Sequence, residues 1–355
     1  MKGRMGKWLI VAMLLLLIMS ACSKKKIVDG IPLPVPTDKV EAGTHDDDEE
    51  PVELKYRAPF TGLALEKENT LRPVLVTINN HPQARPQSGI AEADVVYEFM
   101  AEGTVTRFLA LYQTNLPDEI GPVRSARDYF VDLAKGLDAF YIAHGFSPEA
   151  KKMLDAQVVD NINGMYYDGT LFWRSKDRKA PHNSYISREN ILKGADKIGA
   201  PMEISKMPPF SFHESVEGAK LGNIASTVTV RFGSDSKFHN TYTYDEEKGT
   251  YDRSAGGVKT VDKVTGNPVE VSNVLVFETT YNTIDSVGRQ EVDLTSGGRA
   301  LLFNGGIVKE LEWKAIDGFL VPIENGIPAK LVPGMTWISI VSTKPGIDSS
   351  VVHTP

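Results

Sequence analysis

The pattern of apolar and polar positions divides the chain into a leader, a polar stretch and a long folded part. The first apolar run extends from Trp8 to Met19, and basic residues precede it. The small pair Ser20 and Ala21 follows directly. Because the run is much shorter than the roughly 20 residues that a membrane-spanning helix needs, it predicts a secretory signal over residues 1–21 that is removed after export.

Runs of β-branched and aromatic residues predict the strands of a first domain, residues 60–204. These runs are 73–78, 93–99, 105–112 and 137–143. Helix signals lie between and after them: Ser125 with Asp128 at its third position, Ser147 before Pro148, and Ser187. Helices that follow apolar strands must cover a face of the sheet. We therefore expect an α/β (α+β) domain with a mixed sheet and covering helices.

Shorter alternating runs and glycine-rich turns dominate after residue 205. The predicted strands are 226–232, 274–279, 289–294, 300–304, 307–313 and 336–341, together with a tyrosine-rich hairpin over 242–251. Strict alternation is typical of half-buried antiparallel strands. The pattern predicts a smaller, mostly antiparallel β domain over residues 205–355.

Residues 22–59 have no pattern that could build a core. Lysines 24–26, three prolines at 32, 34 and 36, and the acidic run Asp46–Glu50 follow one another. Such a composition is typical of a disordered tether. A calcium site in the acidic run is the alternative, and a solvated linker is favoured over it.

Cys22 is the only cysteine of the chain, and it directly follows the predicted signal. Met19-Ser20-Ala21-Cys22 is similar to the lipobox at which bacteria attach fatty acyl chains, although leucine is more usual where Met19 stands. We expect lipidation at Cys22 and anchoring on the extracytoplasmic face of the cell membrane. A cysteine in an ordinary cleaved leader is the alternative.

Charge excludes one class of function. The chain has 39 Lys and Arg against 46 Asp and Glu, a net charge of −7. Nucleic acid attracts clustered positive charge, so we expect no nucleic-acid partner.

The seven histidines of the chain do not have the spacing of metal ligands. We expect neither a metal nor a cofactor.

The densest polar constellation lies at strand ends and helix starts of the first domain. Its candidate ligand-binding residues are Asn80, His81, Arg85, Glu98, Arg107, Arg124, Ser125, Arg127 and His144. Outward amides of a helix beginning at Ser125, with Arg124 and Arg127 beside them, would bind a carboxylate or phosphate. The alternative is that the arginines pair with Glu98, Glu102 or Asp128 and fix the fold.

A second cluster interleaves aromatic and basic residues between 166 and 185. Trp173, His182 and Asn183 are its candidate binding residues. Aromatic rings with forked donors suit recognition of a glycan or a peptide. A long loop that is pinned by its own aromatic residues is the slightly favoured alternative.

An enzyme remains the second hypothesis for function. Ser125, a histidine at 144 or 182, and Asp128 could form a nucleophile, a base and its orienting group. The sequence has neither a G-x-S-x-G nor an H-E-x-x-H motif. We therefore expect a binding protein rather than a hydrolase or transferase of the cell envelope.

Long stretches of the chain resemble a known family. The segments IGPVRSARDYF, RKAPHNSY and NVLVFETTYNTIDSVGRQEVDLTSGG look like the two domains of the YerB-like lipoproteins. The resemblance extends over nearly all of residues 60–345. It implies an exported two-domain lipoprotein of Gram-positive-type bacteria. Since the family's function is unknown, the resemblance assigns no catalytic residues.

Together these observations predict a lipid-anchored protein that binds an envelope ligand or protein partner. The ligand would be an anionic or glycan component of the envelope.

Overall fold

The computed structural model describes residues 54–355, which lie within one compact unit, Pro51–Pro355. The predicted signal 1–21, the lipid site Cys22 and the acidic run Asp46–Glu50 lie outside the described residues. In the part that is described, no helix has both the length and the apolarity to cross a membrane.

The first part of the chain alternates strands and helices. Its strands are β1 (Tyr56–Arg57), β2 (Ala64–Leu65), β3 (Val74–Asn79), β4 (Val95–Glu102), β5 (Val105–Tyr112), β6 (Phe140–Ala143), β7 (Asn161–Asn163), β8 (Phe172–Arg174) and β9 (Ser184–Ile186). Its α-helices are α1 (Asp128–Gly136), α2 (Pro148–Asp155), α3 (Gly164–Tyr167) and α4 (Arg188–Ile198). Two 3-10 helices are Pro82–Ala84 and Ile90–Glu92.

The second part is built almost entirely of strands. They are β10 (Ser211–Phe212), β11 (Asn223–Ile224), β12 (Thr227–Arg231), β13 (His239–Asp245), β14 (Thr250–Ala255), β15 (Val258–Lys259), β16 (Glu270–Val271), β17 (Asn273–Thr279), β18 (Tyr281–Thr283), β19 (Gln290–Val292), β20 (Gly298–Asn304), β21 (Ile307–Ile316), β22 (Phe319–Glu324), β23 (Ile327–Pro328), β24 (Lys330–Leu331), β25 (Thr336–Ser342) and β26 (Val351–Thr354). Helix α5 is Ile347–Ser350, and 3-10 helices lie at Val216–Ala219 and Ser236–Phe238.

A mixed sheet of 12 strands runs through both parts of the chain. The order is β23-β22-β21-β20-β17-β25-β4-β5-β3-β6-β7, with β11 beside β21. Strand β25 joins the two parts because it is parallel to β17 on one side and to β4 on the other. The division into two domains between residues 204 and 205 stays a prediction. Both parts of the chain contribute strands to the central sheet.

A second sheet of six strands covers one face of the mixed sheet. Its order is β15-β14-β13-β12-β26, with β16 beside β14, and all its pairings are antiparallel. One apolar core contains Val76 and Phe108 of the mixed sheet with Val230 and Tyr242 of the second. The predicted antiparallel character of the C-terminal part is confirmed.

Helices cover the opposite face of the mixed sheet. Leu75 and Leu109 point to that side, where a second core contains Phe130 and Leu133 of α1 and Leu154 of α2. Adjacent positions of one strand thus serve different cores, because side chains alternate between the two faces of a strand. The predicted mixed sheet with covering helices is confirmed.

Two of the three helix starts are also confirmed. The side chain of Ser147 accepts a hydrogen bond from the Ala150 amide at the start of α2, and Ser187 accepts one from Asn190 at the start of α4. The predicted start of α1 at Ser125 is wrong, since the helix begins at Asp128 and its cap is Arg127. The residues before Asp128 pair with other segments instead of winding into a helix.

The folded part begins earlier than predicted. Strand β1 pairs with β2, although its residues fall in the predicted tether 22–59. Ala58, next to the strand, is buried, and Phe60 packs in the core on the helical side of the sheet. The alternating side chains of Tyr56 to Phe60 thus already belong to the fold.

Candidate functional site

The candidate residues of the first domain separate into two groups in the structure. Asn80 and Glu98 lie inside, between the two sheets, whereas Arg124 and the imidazoles of His81 and His182 are partly exposed. We call the first group, with the partners described next, the Glu98 cluster. The two groups differ in how their charges are balanced.

Glu98 is completely buried and points from β4 toward the second sheet. Its carboxylate oxygens accept hydrogen bonds from five side chains. The donors are Asn80 Nδ2 at 3.2 Å, Thr106 Oγ1 at 2.7 Å, Asn240 Nδ2 at 2.7 Å, Arg253 Nη2 at 3.3 Å and Trp337 Nε1 at 3.1 Å. A buried carboxylate is tolerable when its acceptor sites are filled in this way.

Arg253 is the cationic partner of Glu98 and is itself 1% exposed. Its guanidinium donates to Thr260 Oγ1 and Asn240 Oδ1, each at 2.7 Å, and lies 4.0 Å from the ring centroid of Trp337. Arg253 is not among the residues that the sequence pattern predicted for the site. The alternation of β14 could have identified it, because Arg253 lies on the same buried side of the strand as Tyr251 and Ala255.

Arg107 and Arg127 have a structural role in this geometry. Both guanidinium groups contact the carboxylate of Glu102, and Arg107 does so through two hydrogen bonds of 2.8 Å. Arg107 also donates to the carbonyl oxygen of Ser125 at 2.8 Å. These contacts agree with the alternative in which the arginines pair with a carboxylate and fix the fold.

Three amides before α1 are not available to a ligand. The amide of Val123 donates to the Ser184 carbonyl at 2.7 Å, that of Arg124 to Thr77 at 2.8 Å, and that of Ala126 to Gly145 at 3.0 Å. The expectation of outward amides is therefore wrong at these three positions.

Ser125 and His144 do not form a nucleophile and base. The Ser125 hydroxyl donates to the main-chain carbonyl of His144 at 3.3 Å. The imidazole accepts a hydrogen bond at Nε2 from Arg174 at 2.7 Å, so its Nδ1–H donates to Ser184 Oγ at 2.7 Å. Both ring nitrogens are therefore occupied. Burial, assisted by the Arg174 charge, lowers the pKa of His144 to about 4.

Arg124 is the exception among these arginines. Among residues 54–355, its guanidinium has neither a hydrogen bond nor an ion pair. Burial lowers its pKa to about 10, and the two neighbouring charges that lower it further, Arg107 and Arg174, are both positive. A half-buried cation surrounded by cations lacks the counter-charge that folded proteins usually supply.

His81 and His182 stack beside this cation, with ring centroids 4.6 Å apart. The Gln83 amide donates to Nδ1 of His81 at 3.2 Å, and Asn79 Nδ2 donates to Nδ1 of His182 at 2.9 Å. Since each Nδ1 is an acceptor, each neutral ring has its proton on Nε2. We call Arg124, His81, His182 and the neighbouring Arg174 the Arg124 patch.

Burial and neighbouring positive charges lower the pKa of both rings of the patch. Burial is the largest cause that lowers the pKa of His81, followed by the charges of Arg85 and Arg124. Burial also leads for His182, followed by His81 and Arg124. The patch therefore offers one guanidinium and two neutral N–H donors to an anion.

The aromatic cluster is largely occupied by its own loop. Trp173 stacks on Tyr185 with ring centroids 6.0 Å apart. Asn183 donates to the Ser175 carbonyl at 3.2 Å and accepts from Arg174 at 3.3 Å. Arg178 donates to the Ala84 carbonyl at 2.7 Å. This is the geometry of a pinned loop, and Trp173 and Asn183 stay predictions as binding residues.

Within the described part of the chain, no group of three or more histidine, cysteine, aspartate or glutamate residues is placed to hold a metal ion.

Comparisons with known proteins agree with this architecture. Residues 60–201 match the N-terminal domain of a family described as proteins of unknown function, DUF3048, and residues 228–338 match its C-terminal domain. The chain is 44% identical over 300 residues to YerB of Bacillus subtilis (strain 168), which is named as a lipoprotein. The match covers 84% of this chain and 89% of YerB.

A crystal structure of YerB from Bacillus subtilis is similar in fold. It has 42% sequence identity, a TM-score of 0.77, and coverage of 85% of this chain and 100% of the other. The resemblance that the sequence motifs indicated is thereby confirmed.

Proposed function

The chain belongs to the DUF3048 family, and on that premise we propose that it binds an anionic group of a cell-envelope ligand or partner at the Arg124 patch. The bound group is a carboxylate or a phosphate. The protein holds this group while it is anchored to the cell membrane by lipid at Cys22.

The observation that carries the proposal is the missing counter-charge of Arg124. Arg107 and Arg127 lie close by and contact Glu102, and Arg174 contacts Asp168. Arg124 has no such carboxylate among the described residues, and the charges that act on it are cationic. An external anion would provide the charge-assisted hydrogen bonds that the fold does not provide.

The two imidazoles give the patch its shape. Asn79 donates to the His182 ring through its Nδ2 and accepts from the main-chain amide of His81 through its Oδ1 at 2.9 Å, while the Gln83 amide donates to the His81 ring. This arrangement sets the tautomer of each ring and leaves each Nε2–H unused by the described residues. Three donors beside one another suit an oxyanion with several acceptor oxygens.

Anchoring at the membrane rests on the sequence and on the named relative. The lipobox-like motif ends at Cys22, and the similar YerB is named as a lipoprotein. Lysines 24–26 would add attraction to anionic lipid head groups, by about 1 kcal/mol each. A Cys22→Ser variant should lose its lipid in the native host, and mass spectrometry of a wild-type N-terminus without lipid would contradict the anchor.

Binding is tested by recovery of envelope components from solubilised membranes with three forms of the protein. Wild type and Arg231→Ala should recover the same envelope component. The Arg124→Ala variant should bind that component more weakly, by roughly 1.5 to 3 kcal/mol. Arg231 is the matched control because it is an exposed arginine at the end of β12. It has no ion pair among the residues described.

Two results would contradict the proposal. Equal recovery by wild type and Arg124→Ala would show that this cation does not contact the ligand. Equal losses in Arg124→Ala and Arg231→Ala would show that only the total charge of the protein matters.

A further inference from the structure

A cavity of about 400 Å³ lies between the segment 80–87 and the β14–β15 end of the second sheet. Its volume falls in the range of small-molecule sites. Its apolar walls are Pro82, Pro86, Ala255, Val258 and Val261. The cavity has no signature in the sequence, because its two sides are about 170 residues apart along the chain.

Two arginines line this cavity, and the guanidinium group of each has one buried nitrogen atom that lacks a partner. Arg85 and Arg253 both line it, and Arg253 is 1% exposed. Arg85 Nη2 and Arg253 Nε are buried and have no hydrogen-bond partner within residues 54–355. An unsatisfied buried donor calls for an explanation, and a water, an ion or a ligand that pairs with it is one.

The other nitrogen atoms of both guanidinium groups each donate at least one hydrogen bond within the protein. Arg85 Nε donates to Asn80 Oδ1 at 3.0 Å, and its Nη1 donates to the Lys237 carbonyl at 2.8 Å. Arg253 donates to Thr260, Asn240 and Glu98, as described above. These contacts hold the two side chains in fixed positions, so the open donors are preorganised.

Charge in and around the cavity is positive. Burial lowers the pKa of Arg85 to about 10, and the charge of Arg253 is the next largest cause. Lys237 and Lys259 also line the cavity, whereas no aspartate or glutamate does so among the described residues. Glu98 and Asp235 are the carboxylates near Arg85, and Lys259 pairs with Asp252 at 2.8 Å. The oxygens of Glu98 are occupied by the five donors described above.

We propose that this cavity binds a small organic acid, with its carboxylate between Arg85 and Arg253 and its apolar body against the proline and valine walls. A bare inorganic anion would leave these walls uncovered, and an uncharged apolar molecule would leave both donors unpaired. This site is separate from the Arg124 patch, so either proposal can fail without the other.

The test uses 4-phenylbutyrate as the probe and 4-phenylbutan-1-ol as its uncharged comparator. The protein is the unlipidated chain from residue 23, which retains every described residue and avoids partitioning of the probe into lipid. Calorimetric titration should give binding of one acid per chain. Binding of the alcohol should be about tenfold weaker or worse, because it lacks the charged hydrogen bonds.

Substitutions in the cavity test whether the acid binds there. Arg85→Ala should weaken acid binding about tenfold or more, since it removes one of the two guanidinium groups. Val258→Asp provides a second arm that removes no structural contact, because Val258 is 71% exposed on the cavity wall. A carboxylate there should repel the acid to a similar degree. Val264→Asp is the matched control, as Val264 is 58% exposed but does not line the cavity.

Arg124→Ala should leave the affinity for the acid unchanged. The proposal is overturned if wild type does not bind the acid, or if the acid and the alcohol bind equally. It is also overturned if Val258→Asp binds the acid as tightly as Val264→Asp does, whatever the stability of Arg85→Ala.

Discussion

The Glu98 cluster and the Arg124 patch both contain arginine, but they differ in whether the charge is balanced within the protein. In the Glu98 cluster, a fully buried carboxylate is surrounded by donors and meets a buried guanidinium. In the Arg124 patch, a guanidinium lies among other cations and has no acceptor within the described chain. The first arrangement balances its charge within the fold, whereas for the second we propose a partner outside the chain.

The contrast extends to what each substitution should do. Removing one member of a buried ion pair strands the other in a medium of low polarity, which costs stability. Removing a cation that the fold does not neutralise costs little stability and should instead weaken binding. Stability and binding measured on the same variants therefore separate the two regions.

The largest effect is expected for Glu98→Ala. The variant leaves Arg253 buried without its carboxylate and leaves four further donors without an acceptor. Its free energy of unfolding should fall by about 3 to 5 kcal/mol, measured by urea denaturation.

A double variant provides the control for this prediction. Glu98→Leu combined with Arg253→Met removes both charges and should recover part of the loss. If Glu98→Ala loses less than about 1 kcal/mol, the cluster is not the polar core that its hydrogen bonds indicate.

A smaller effect is expected at His144, whose imidazole contacts Arg174 of the Arg124 patch. Its pKa falls from an ordinary value of 6.5 to about 4, first because of burial and then because of Arg174. The unfolded chain therefore binds the proton first. Stability should be lost as pH falls from about 6.5 to about 4, and this residue should contribute about 2 to 3 kcal/mol between pH 7 and 4.5.

His144→Gln isolates that contribution, because glutamine does not titrate. Urea denaturation at both pH values should show a smaller acid loss for the variant than for wild type. Equal losses would mean that His144 is protonated in the folded protein, contrary to its position between Arg174 and Ser184.

The smallest effects on stability are expected for Arg127→Ala and Arg124→Ala, two substitutions in the segment before α1. Arg127→Ala removes one of two contacts to Glu102, whereas Arg107 keeps its two hydrogen bonds to that carboxylate. The loss should be about 1 to 2 kcal/mol. Arg124→Ala should change the free energy of unfolding by less than about 0.5 kcal/mol. The reverse order in thermal denaturation would make Arg124 the structural residue.

Local features were predictable from the sequence because local residues determine them. Strand β5 was predicted with its observed bounds, since Val105 to Tyr112 is an uninterrupted β-branched and aromatic run. Helix α2 was predicted because Ser147 caps it and Pro148 fits its first turn. In both elements, short-range preferences agree with the final fold.

Long-range features were not predictable in the same way. The Ser125 signal failed because the amides around it pair with Thr77 and Gly145, which only the folded chain brings near. Glu98 was singled out, but Trp337 and Arg253 were not, since 239 and 155 positions separate them from it. The placement of β25 between β17 and β4 is a long-range pairing of the same kind.

The anion site at the Arg124 patch is tested most directly by the pKa values of His81 and His182. These are measured by nuclear magnetic resonance on the unlipidated chain from residue 23, with inorganic phosphate or with sodium chloride at equal ionic strength. Phosphate bound beside the rings should raise both pKa values, because a negative charge favours the imidazolium form. Arg124→Ala should raise them without phosphate, by removing a nearby cation, and should abolish the further rise. Unchanged pKa values in wild type with phosphate would contradict the account.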